Sequence, residues 1–363
     1  MVAGLWICYW FPRLSIVYEI PDLYAIVLKS LKSIPQGKVT TYGEIGKALG
    51  DKISARAVGY IMATNRWPDI YPCYKVVGSD GNIGGYSLGT DLKKRKLRKE
   101  GIRIVSGHIE NLEEIVVMSK DLKIPPVLES LQRLQQYLGE KVDLSNFYGE
   151  PRYVVSLDLG YINGPPDINI ATACLFDLEE NKVLSLAISV VPIFMPYIPT
   201  YLAFRELPAA LLALEKILDV RYPDIIAVDG QGILHPRKFG IASHIGVITN
   251  IPSIGIAKSI LVGKVIGDWK KYGELKYAPI DLRGEICGYV VSKGKHKIIV
   301  SPGHRTSVDG ALKIALSLEW RNNENEPYVM RIPHIVSTHF RKYLRNLWRL
   351  IRDKQTDLTS FIS

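Results

Sequence analysis

Cysteine is scarce in this chain and never occurs as a close pair. The 363 residues include only Cys8, Cys73, Cys174 and Cys287. No Cys-x-x-Cys pair is present, which argues against the usual cysteine-built zinc sites, and cysteines this far apart do not form the framework of a small secreted protein. We therefore expect a reducing, intracellular environment and a cytoplasmic protein.

The chain also lacks a long apolar run. Its first residues, MVAGLWICYWF, are apolar, but Pro12, Arg13 and Glu19 soon interrupt the pattern, and no basic start precedes it. The segment is too short to span a bilayer and does not have the form of a signal peptide. We expect no membrane contact, and we interpret residues 1–21 as an N-terminal extension that packs on the first domain as a strand-like segment.

Acidic residues are outnumbered by basic ones. Lys and Arg total 46 against 36 Asp and Glu, which gives a net charge of +10 and a pI of about 9.2. A basic protein of this size often binds a polyanion, and nucleic acid is the first candidate, although a basic surface also serves solubility. A glycine-rich cofactor loop after the first strand is missing, which disfavours a small-molecule methyltransferase.

Residues 22–107 form a first block of short helices. DLYAIVLKSLKSI spaces its apolar residues as a helix does, and Pro35-Gln36-Gly37 ends it. TTYGEIGKALG and SARAVGYIMATN predict two more helices with a tight connection, and Ser54 is the expected N-cap of the second. Such a pair suggests a helix-turn-helix whose second helix enters a DNA groove, although many helix pairs bind nothing.

Residues 108–128 are interpreted as a linker, and residues 129–345 as a second block with strand-like runs. YVVSLDLGY, ATACLFDL and VLSLAISV predict antiparallel hairpins, and the later alternation of strands with helices predicts parallel strands. The expected fold class is α/β multidomain, with a helix-turn-helix domain followed by a mixed-sheet α/β domain. Residues 346–363 form a basic amphipathic tail.

The stretch PCYKVV, at residues 72–77, raises the question of whether Cys73 is a nucleophile or a buried hydrophobe. A nucleophilic cysteine needs a lowered thiol pKa, and buried structural cysteines are common. The stretches IPQGKVTTYGEIGKALG, SARAVGYIMATN and PCYKVVGSDGNIGGYSLG nevertheless resemble, in order and spacing, the winged-helix-like active-site domain of DNA alkylguanine alkyltransferases. The resemblance implies irreversible transfer of an alkyl group from O6 of guanine to Cys73, without a cofactor.

This resemblance also implies roles for other residues of the first block. The target atom lies inside the duplex, so the damaged base must leave the stack. The family pattern places Arg56 in the gap that the flipped nucleotide leaves and Tyr42 beside the rotated backbone. It further assigns Asn65 to bracing the cysteine turn, Tyr86 and Ser87 to the guanine pocket, and Glu100 to the end of a proton relay.

Tyr74 departs from the family pattern, which has histidine at this position. Tyrosine has a reference pKa of about 10 and is a poor base near neutral pH, so the relay to Glu100 is interrupted. Lys75 also replaces the usual arginine. Two hypotheses follow: Cys73 reacts slowly, helped by Glu100 through water or by a helix dipole, or the domain recognises lesions without reacting.

Three acids of the second block, Asp158, Glu206 and Asp229, lie at predicted ends of strands or helices. Asp229 closes a buried strand and is followed by Gly230 and Gly232, a pattern typical of a ligand-binding sheet edge. Converging carboxylates suit Mg²⁺, whereas an isolated aspartate at a strand end is more often a turn or helix cap. The residue types alone do not decide between these interpretations.

Longer motifs favour the metal site. SLDLGY, PYIPTYLAFRELPA, VDGQGILHPRKFGIASHIG, PSIGIAKS and SPGHRTSVD resemble endonuclease V from about residue 130 to 320, which implies a ribonuclease H-like fold and cleavage one bond beyond a deaminated base, chiefly inosine. The implied cofactor is Mg²⁺, with Mn²⁺ as a substitute. The implied residues are the metal ligands Asp158, Glu206, Asp229 and His304, the active-site Lys258, the wedge Tyr197, and the DNA contacts Gly230, Gly232, His235 and Arg237.

Together the two resemblances predict a monomeric, bifunctional DNA repair protein. Its expected partner is double-stranded DNA that carries an alkylated guanine or a deaminated base. Two alternatives stay open at this point. The nuclease half could act on inosine in RNA, and the first domain could be a lesion-binding module that leaves all chemistry to the nuclease.

Overall fold

The computed structural model describes residues 6–145, 150–164, 167–321 and 324–360, with side chains as far as residue 349. Two compact units emerge. The first comprises residues 1–9, 19–134 and 194–205, and the second comprises residues 10–18, 135–193 and 206–363. The outermost parts of the expected extension and tail, residues 1–5 and 361–363, lie outside the described residues.

The N-terminal extension forms a β-hairpin. Strands β1 (Trp6–Phe11) and β2 (Ile16–Pro21) pair into a separate two-stranded sheet. We expected the whole extension to pack on the first domain, but residues 10–18 group with the second unit. There Tyr18 is buried and packs edge-on against the buried ring of His244, with the centroids 5.8 Å apart. Burial of this aromatic pair accounts for the difference.

The first unit consists of short helices and small sheets. Helices α1 (Leu23–Ser30), α2 (Tyr42–Ala48), α3 (Ala55–Ala63), α4 (Thr90–Lys99) and α5 (Leu112–Ile115) accompany strands β3 (Thr40–Thr41), β4 (Val76–Val77), β5 (Ile104–Val105) and β6 (His108–Ile109). Thr41 caps α2 by accepting the Glu44 N–H at 3.1 Å. A Cβ on Gly46 would lie 3.1 Å from Ser54 Oγ, so glycine allows α2 and the start of α3 to approach closely. The predicted helix pair is confirmed.

The segment that we expected to be a linker, residues 108–128, is part of the first unit. The Val39 N–H donates to the Ile115 carbonyl at 3.0 Å, and the Val117 N–H donates to the Val39 carbonyl at 2.7 Å. These backbone hydrogen bonds tie the segment to the start of the unit. The division between the units falls inside helix α6 (Val127–Gly139), after residue 134 rather than before residue 129.

The second unit is built on one mixed, ten-stranded sheet. Its strands are β7 (Tyr153–Ile162), β8 (Ile168–Asp177), β9 (Lys182–Pro192), β10 (Ile225–Val228), β11 (Ser253–Ala257), β12 (Lys264–Val265), β13 (Lys270–Tyr272), β14 (Leu275–Leu282), β15 (Glu285–Lys293) and β16 (His296–His304). They lie in the order β12-β14-β15-β16-β11-β10-β7-β8-β9, with β13 paired to β14. Strands β7, β10 and β11 are parallel, and the other pairs are antiparallel. The predicted hairpins and parallel strands are confirmed.

Four further helices complete the described part of the chain: α7 (Leu202–Leu218), α8 (Ile241–Thr249), α9 (Val308–Ser317) and α10 (Tyr328–Ser360). We expected a separate tail from residue 346, but α10 continues through that position without a break. Its Phe340, Leu344 and Trp348 pack on isoleucines of β7 and β8, which accounts for the continuation. Within the described part of the chain, no helix is long and apolar enough to cross a membrane.

A proline inside α10 provides the contact that holds this helix on β7. Proline has no backbone N–H, so Pro333 cannot donate to the Val329 carbonyl four residues earlier. That carbonyl instead accepts a hydrogen bond from the buried Ser156 Oγ of β7, at 2.7 Å. Alternate residues of a strand share a face, so the contact places the next turn of α10 beside Asp158.

This contact predicts a specific pattern of stabilities. Replacing Ser156 by alanine leaves the buried Val329 carbonyl without its partner, and we expect the free energy of unfolding to fall by about 1–3 kcal/mol. In a Pro333→Ala background the new N–H can donate to Val329, so the same Ser156→Ala change should cost less. Chemical denaturation of the four chains measures both costs. Equal costs in the two backgrounds would contradict this explanation.

Candidate functional sites

The parallel pairing of β7 with β10 brings two of the predicted acids together. In the register, Val228 of β10 lies opposite Leu157 of β7, so Asp229 and Asp158 are neighbours one position further along. Val228 also pairs with Gly255 of β11. Strands β10 and β11 end here, but β7 continues to Ile162, so the predicted strand end at Asp158 is wrong. The edge at which β10 and β11 end is where open α/β sheets bind ligands.

Helix α10 adds a histidine that the sequence analysis missed. His334 Nδ1 lies 2.9 Å from Asp158 Oδ1. The ligand atoms of Asp158, Asp229 and His334 all lie within 4.8 Å of one another, which is close enough to hold one metal ion. The available sequence signal was Pro333, directly before the histidine, because a proline inside a helix leaves the carbonyl four residues earlier without its usual N–H donor.

The predicted ligand His304 lies at the other end of the sheet. In the antiparallel pairing of β11 with β16, His304 is opposite Ser253, the first residue of β11, whereas Lys258 follows its last residue. Four residues of strand rise by about 13 Å. His304 Nδ1 instead accepts the Asp143 N–H at 3.2 Å. The structure therefore does not bring His304 to the carboxylates, because β16 runs antiparallel to the strands that carry them.

Lys258 joins the cluster as a counter-ion. Its Nζ lies 2.9 Å from Asp229 Oδ2 and 3.5 Å from Oε2 of Glu326, a buried acid that the sequence analysis also missed. Burial alone would lower the pKa of Lys258, but Asp229 and Glu326 raise it above its usual value. The lysine is therefore a permanent cation among three carboxylates, those of Asp158, Asp229 and Glu326.

The two aspartates of the cluster differ in their titration. Burial raises the pKa of Asp158, but the hydrogen bond to His334 and nearby positive charge outweigh it, and the net pKa is lowered. Burial also raises the pKa of Asp229, and the charge of Asp158 adds to that effect while Lys258 opposes it, so the net pKa is raised. The pKa shifts thus keep Asp158 ionised, whereas burial, and to a smaller extent the charge of Asp158, destabilises the anion of Asp229.

A divalent cation fits this cluster. Asp158 Oδ2 is buried and has no hydrogen-bond partner among the described residues. A buried carboxylate oxygen without a partner is costly, and a metal ion bound by Asp158, Asp229 and His334 would satisfy it. Two converging carboxylates are the ligands that Mg²⁺ and Mn²⁺ prefer.

The third predicted acid, Glu206, is buried in α7. It is not one of the three residues whose ligand atoms converge. Its position on a helix, rather than at the end of a parallel strand, separates it from the pattern that brings Asp158 and Asp229 together. Its role as a metal ligand stays a prediction.

The glycines of VDGQG serve packing rather than an open surface. A Cβ on Gly232 would lie 2.0 Å from the Pro302 carbonyl oxygen, and one on Gly230 would lie 2.5 Å from Ile241 Cγ2. The Gly232 N–H also donates to Ser301 Oγ at 2.8 Å. The backbone of this loop is therefore pressed against β16 and α8. Protein atoms fill the space that the missing side chains leave, and the predicted contacts of these glycines with DNA stay predictions.

The other predicted contact residues lie in different environments. His235 is buried, and its Nδ1 accepts the Arg237 N–H at 3.3 Å. The Arg237 guanidinium donates to Gln135 Oε1 of α6 at 2.7 Å, which holds its side chain in place. Tyr197 belongs to the first unit and is 55% exposed, so an aromatic ring is available at that surface. Their contacts with DNA stay predictions.

Cys73 lies in a buried turn that Asn65 holds. A short 3₁₀ turn spans Cys73–Lys75, and the thiol is 3% exposed. Asn65 Nδ2 donates both to Cys73 Sγ and to the Tyr71 carbonyl, each at 3.1 Å. The Asn65 side chain thus bridges the thiol and the backbone of the preceding turn, which is the position expected for a brace.

A pocket of about 340 Å³ opens in front of the thiol. Its size falls within the range of about 300–1,000 Å³ that is usual for ligand pockets. The structure brings the predicted residues Tyr42, Cys73, Tyr86 and Ser87 together in its lining, with Gly59, Met62, Ala63 and Gly85 between them. Arg56, the predicted wedge, lies exposed in the first turn of α3 and is not part of this lining.

Glu100 is fully engaged by neighbours other than the thiol. Tyr74 donates its hydroxyl to Glu100 Oε1 at 2.6 Å, while Oε2 accepts from the Gly37 N–H and from Lys75 Nζ, each at 2.9 Å. Burial and the bond to Glu100 raise the pKa of Tyr74 well above its usual value. Tyr74 is therefore a hydrogen-bond donor to Glu100 and stays protonated, so it cannot accept the thiol proton near neutral pH.

The charged residue Lys93 also influences the thiol of Cys73. This lysine is 1% exposed, and its Nζ donates to the carbonyls of Val76 at 2.7 Å and Gly85 at 3.3 Å. Burial lowers the pKa of Lys93 to about 8. Burial raises the pKa of the Cys73 thiol, and the hydrogen bond from Asn65 and the charge of Lys93 only partly oppose this effect. Cys73 is therefore mostly a thiol at neutral pH.

Comparison with known proteins matches both halves of the chain. The endonuclease V family profile matches residues 136–335, and the profile of the 6-O-methylguanine DNA methyltransferase DNA-binding domain matches residues 22–102. A bifunctional methyltransferase/endonuclease of Picrophilus torridus is 36% identical over 86% of this chain and 95% of its own length. One from Thermoplasma volcanium is 34% identical over 88% of this chain and 91% of its own. The crystal structure of endonuclease V from Streptomyces avermitilis superposes with a TM-score of 0.53 at 30% identity, covering 60% of this chain and 94% of that one.

His334, which takes the place predicted for His304, gives a direct test of the metal cluster. We expect His334→Gln to weaken Mn²⁺ binding by at least about ten-fold, because it removes a group that contacts Asp158 and would ligate the ion. His304→Gln is the matched control and should leave the affinity unchanged, since its ring lies at the opposite end of the sheet. Isothermal titration calorimetry measures both. A loss of affinity with His304→Gln alone would contradict this assignment.

Proposed function

This chain belongs to the endonuclease V family and, over most of its length, to the bifunctional methyltransferase/endonucleases, and we propose that Cys73 and the Asp158–Asp229–His334 cluster carry its two reactions. The first unit would remove an alkyl group from O6 of guanine in DNA. The second would cleave a nucleic acid strand beyond a deaminated base, chiefly inosine. The convergence of two aspartates and a histidine at the sheet edge supports the nuclease most strongly.

In the nuclease, each residue of the cluster has a distinct task. Asp158, Asp229 and His334 would hold Mg²⁺ or Mn²⁺, which when bound activates water and polarises the phosphate. Lys258, 2.9 Å from Asp229, places a fixed positive charge beside the metal ligands. We assign it to stabilising the negative charge that develops on the phosphate, a role that depends on a cation held in advance. The exposed Tyr197 is assigned to filling the gap that the extruded base leaves.

In the alkyl transfer, the thiolate of Cys73 would attack the alkyl carbon. The carbon–sulfur bond forms, the carbon–O6 bond breaks, and guanine keeps the electron pair and regains a proton. Asn65 fixes the direction of the sulfur through its bond to Sγ, and the pocket lined by Tyr42 and Tyr86 receives the base. Asn65 and the cation Lys93 favour the thiolate, and they take over part of the role that a histidine at position 74 would have.

A non-catalytic first unit is the second candidate function, and two observations favour it. Tyr74 and Lys75 occupy both oxygens of Glu100, and burial keeps the thiol pKa of Cys73 above its usual value. A unit of this kind would bind alkylated guanine in the same pocket and leave the lesion in place. The presence of a buried cysteine held by Asn65 favours the reaction over this alternative.

The nuclease proposal predicts opposite outcomes for matched variants. With Mg²⁺ and a duplex that contains one inosine, Asp158→Asn should abolish cleavage, and Lys258→Met should lower the single-turnover rate by about 10²–10³-fold. Cys73→Ala should cleave as the wild type does, because it lies in the other unit. Gel analysis of end-labelled strands measures all three, and an inosine-containing RNA competitor tests the preference between DNA and RNA. Cleavage that persists in Asp158→Asn would contradict the assignment.

The alkyl-transfer proposal predicts a slow reaction that accelerates with pH. Burial raises the thiol pKa, so the thiolate fraction grows as the pH rises through the alkaline range toward that pKa. Tyr74→His restores a base and should raise the rate at neutral pH by about ten-fold or more. Mass spectrometry of the Cys73 peptide after incubation with a methylated-guanine duplex measures the transfer, and Cys73→Ala is the control. Lesion binding without any methyl gain, in the wild type and in Tyr74→His, would instead identify a recognition module.

A further inference from the structure

Helix α10 continues well beyond the part of the chain that matches endonuclease V. The match ends at residue 335, one residue after His334, but the helix runs on to Ser360. Over residues 336–349 it packs on β7 and β8 through Phe340, Leu344 and Trp348. This extension is therefore a fixed part of the second unit, and it begins at the metal cluster.

Arginines line one side of the extension, in the direction of His334. Arg341, Arg345 and Arg349 recur every four residues, and at about 100° per residue they lie within about 60° of the His334 direction around the helix. Arg341 lies over Gly160 of β7, two residues beyond Asp158, where a Cβ would come within 2.9 Å of its guanidinium. Arg345 and Arg349 are exposed. The three form a row that starts at the metal cluster and leads away from it.

The charge of this row has no acidic counterpart in residues 328–352 of the helix, and the first acid of the helix is Asp353, beyond the row. Residues 328–352 include five arginines and one lysine but neither Asp nor Glu. Arg341 donates to the Ser337 carbonyl and to Thr338 Oγ1, at 3.3 and 3.0 Å, and these partners leave its charge uncompensated. Among the described residues, no carboxylate forms an ion pair with any of the three arginines. A solvated face of an ordinary packing helix would mix both signs.

We propose that Arg341, Arg345 and Arg349 bind successive phosphates of the nucleic acid strand that leads away from the metal cluster. The proposal rests on the proposed nuclease function, since it needs a strand at that cluster. The 15 residues from His334 to Arg349 rise by about 22 Å, and a duplex strand carries one phosphate per 3.4 Å of axis. The row can therefore follow the strand for up to about six nucleotides. Arginine suits this task because its planar guanidinium binds phosphate through two donors.

The test removes two charges from the row and two from elsewhere in the same unit. The variant is Arg345→Gln/Arg349→Gln in the full chain. The matched control is Lys270→Gln/Lys271→Gln on β13, where both lysines are exposed. Fluorescence anisotropy without divalent metal measures affinity for an inosine-containing duplex from 50 to 200 mM salt. Circular dichroism and thermal unfolding check that all three chains are equally folded.

Each lost phosphate contact should reduce the slope of log affinity against log salt by about 0.9. For two contacts, the wild-type affinity should fall about 12-fold more than that of the arginine variant over this salt range. The lysine control should keep the wild-type slope. Shortening the duplex on one side of the inosine, and only on that side, should remove the difference in salt slope between the wild type and the arginine variant.

Two results would overturn the proposal. One is a slope in the arginine variant equal to that of the lysine control, which would identify the row as a solvated helix face. The other is a difference in salt slope between the wild type and the arginine variant that persists whichever side of the duplex is shortened. That result would place the bound phosphates away from the strand at the metal cluster. Because binding is read without cleavage, a failure of the nuclease assay with a normal slope change would count against the proposed function and not against the row.

Discussion

The hydrogen bond from Ser156 to the Val329 carbonyl helps to fix where α10 crosses the central strand of the nuclease unit. It exists because Pro333 cannot supply the N–H that an ordinary helix would direct to that carbonyl. The carbonyl that lacks its helical hydrogen bond is thus the one that attaches α10 to the central strand β7. The attachment brings His334 to Asp158 two residues further along β7, and it sets the line along which the arginines of α10 leave the cluster.

Charge balance explains why the cluster is suited to a cation. Asp158, Asp229 and Glu326 are gathered at a mostly buried edge of the sheet, and Lys258 neutralises only part of their charge. Buried carboxylates whose negative charge is not fully compensated are unfavourable. Asp158 Oδ2, which has no hydrogen-bond partner among the described residues, is where this compensation is missing. The same arrangement that destabilises the free cluster therefore favours metal binding.

The first unit shows the reverse situation, with a polar network that is complete without a ligand. Glu100 accepts hydrogen bonds on both oxygens, from Tyr74, Lys75 and the backbone. Tyr74, at the position where the family pattern has histidine, donates to Glu100 but supplies no base near neutral pH. Reactivity then depends on the immediate surroundings of the thiol, which are Asn65 and the buried Lys93. The network contributes rigidity to the turn that presents Cys73.

The sequence determined the features that follow from local order along the chain. Asp229 and Lys258 directly follow the parallel strands β10 and β11, and the longer motifs that include them and Asp158 predicted that the three belong to one site. The helix pair and the turn that holds Cys73 against Asn65 were likewise predictable from short motifs. Only the tertiary structure decided which histidine joins the cluster, because His334 and Asp158 are 176 residues apart, and their contact depends on where one helix crosses one strand. The same holds for Gly232, whose missing side chain makes room for β16, and for Tyr74, whose hydroxyl reaches Glu100 only once α4 has packed. Long-range packing sets these distances, and no local pattern contains them.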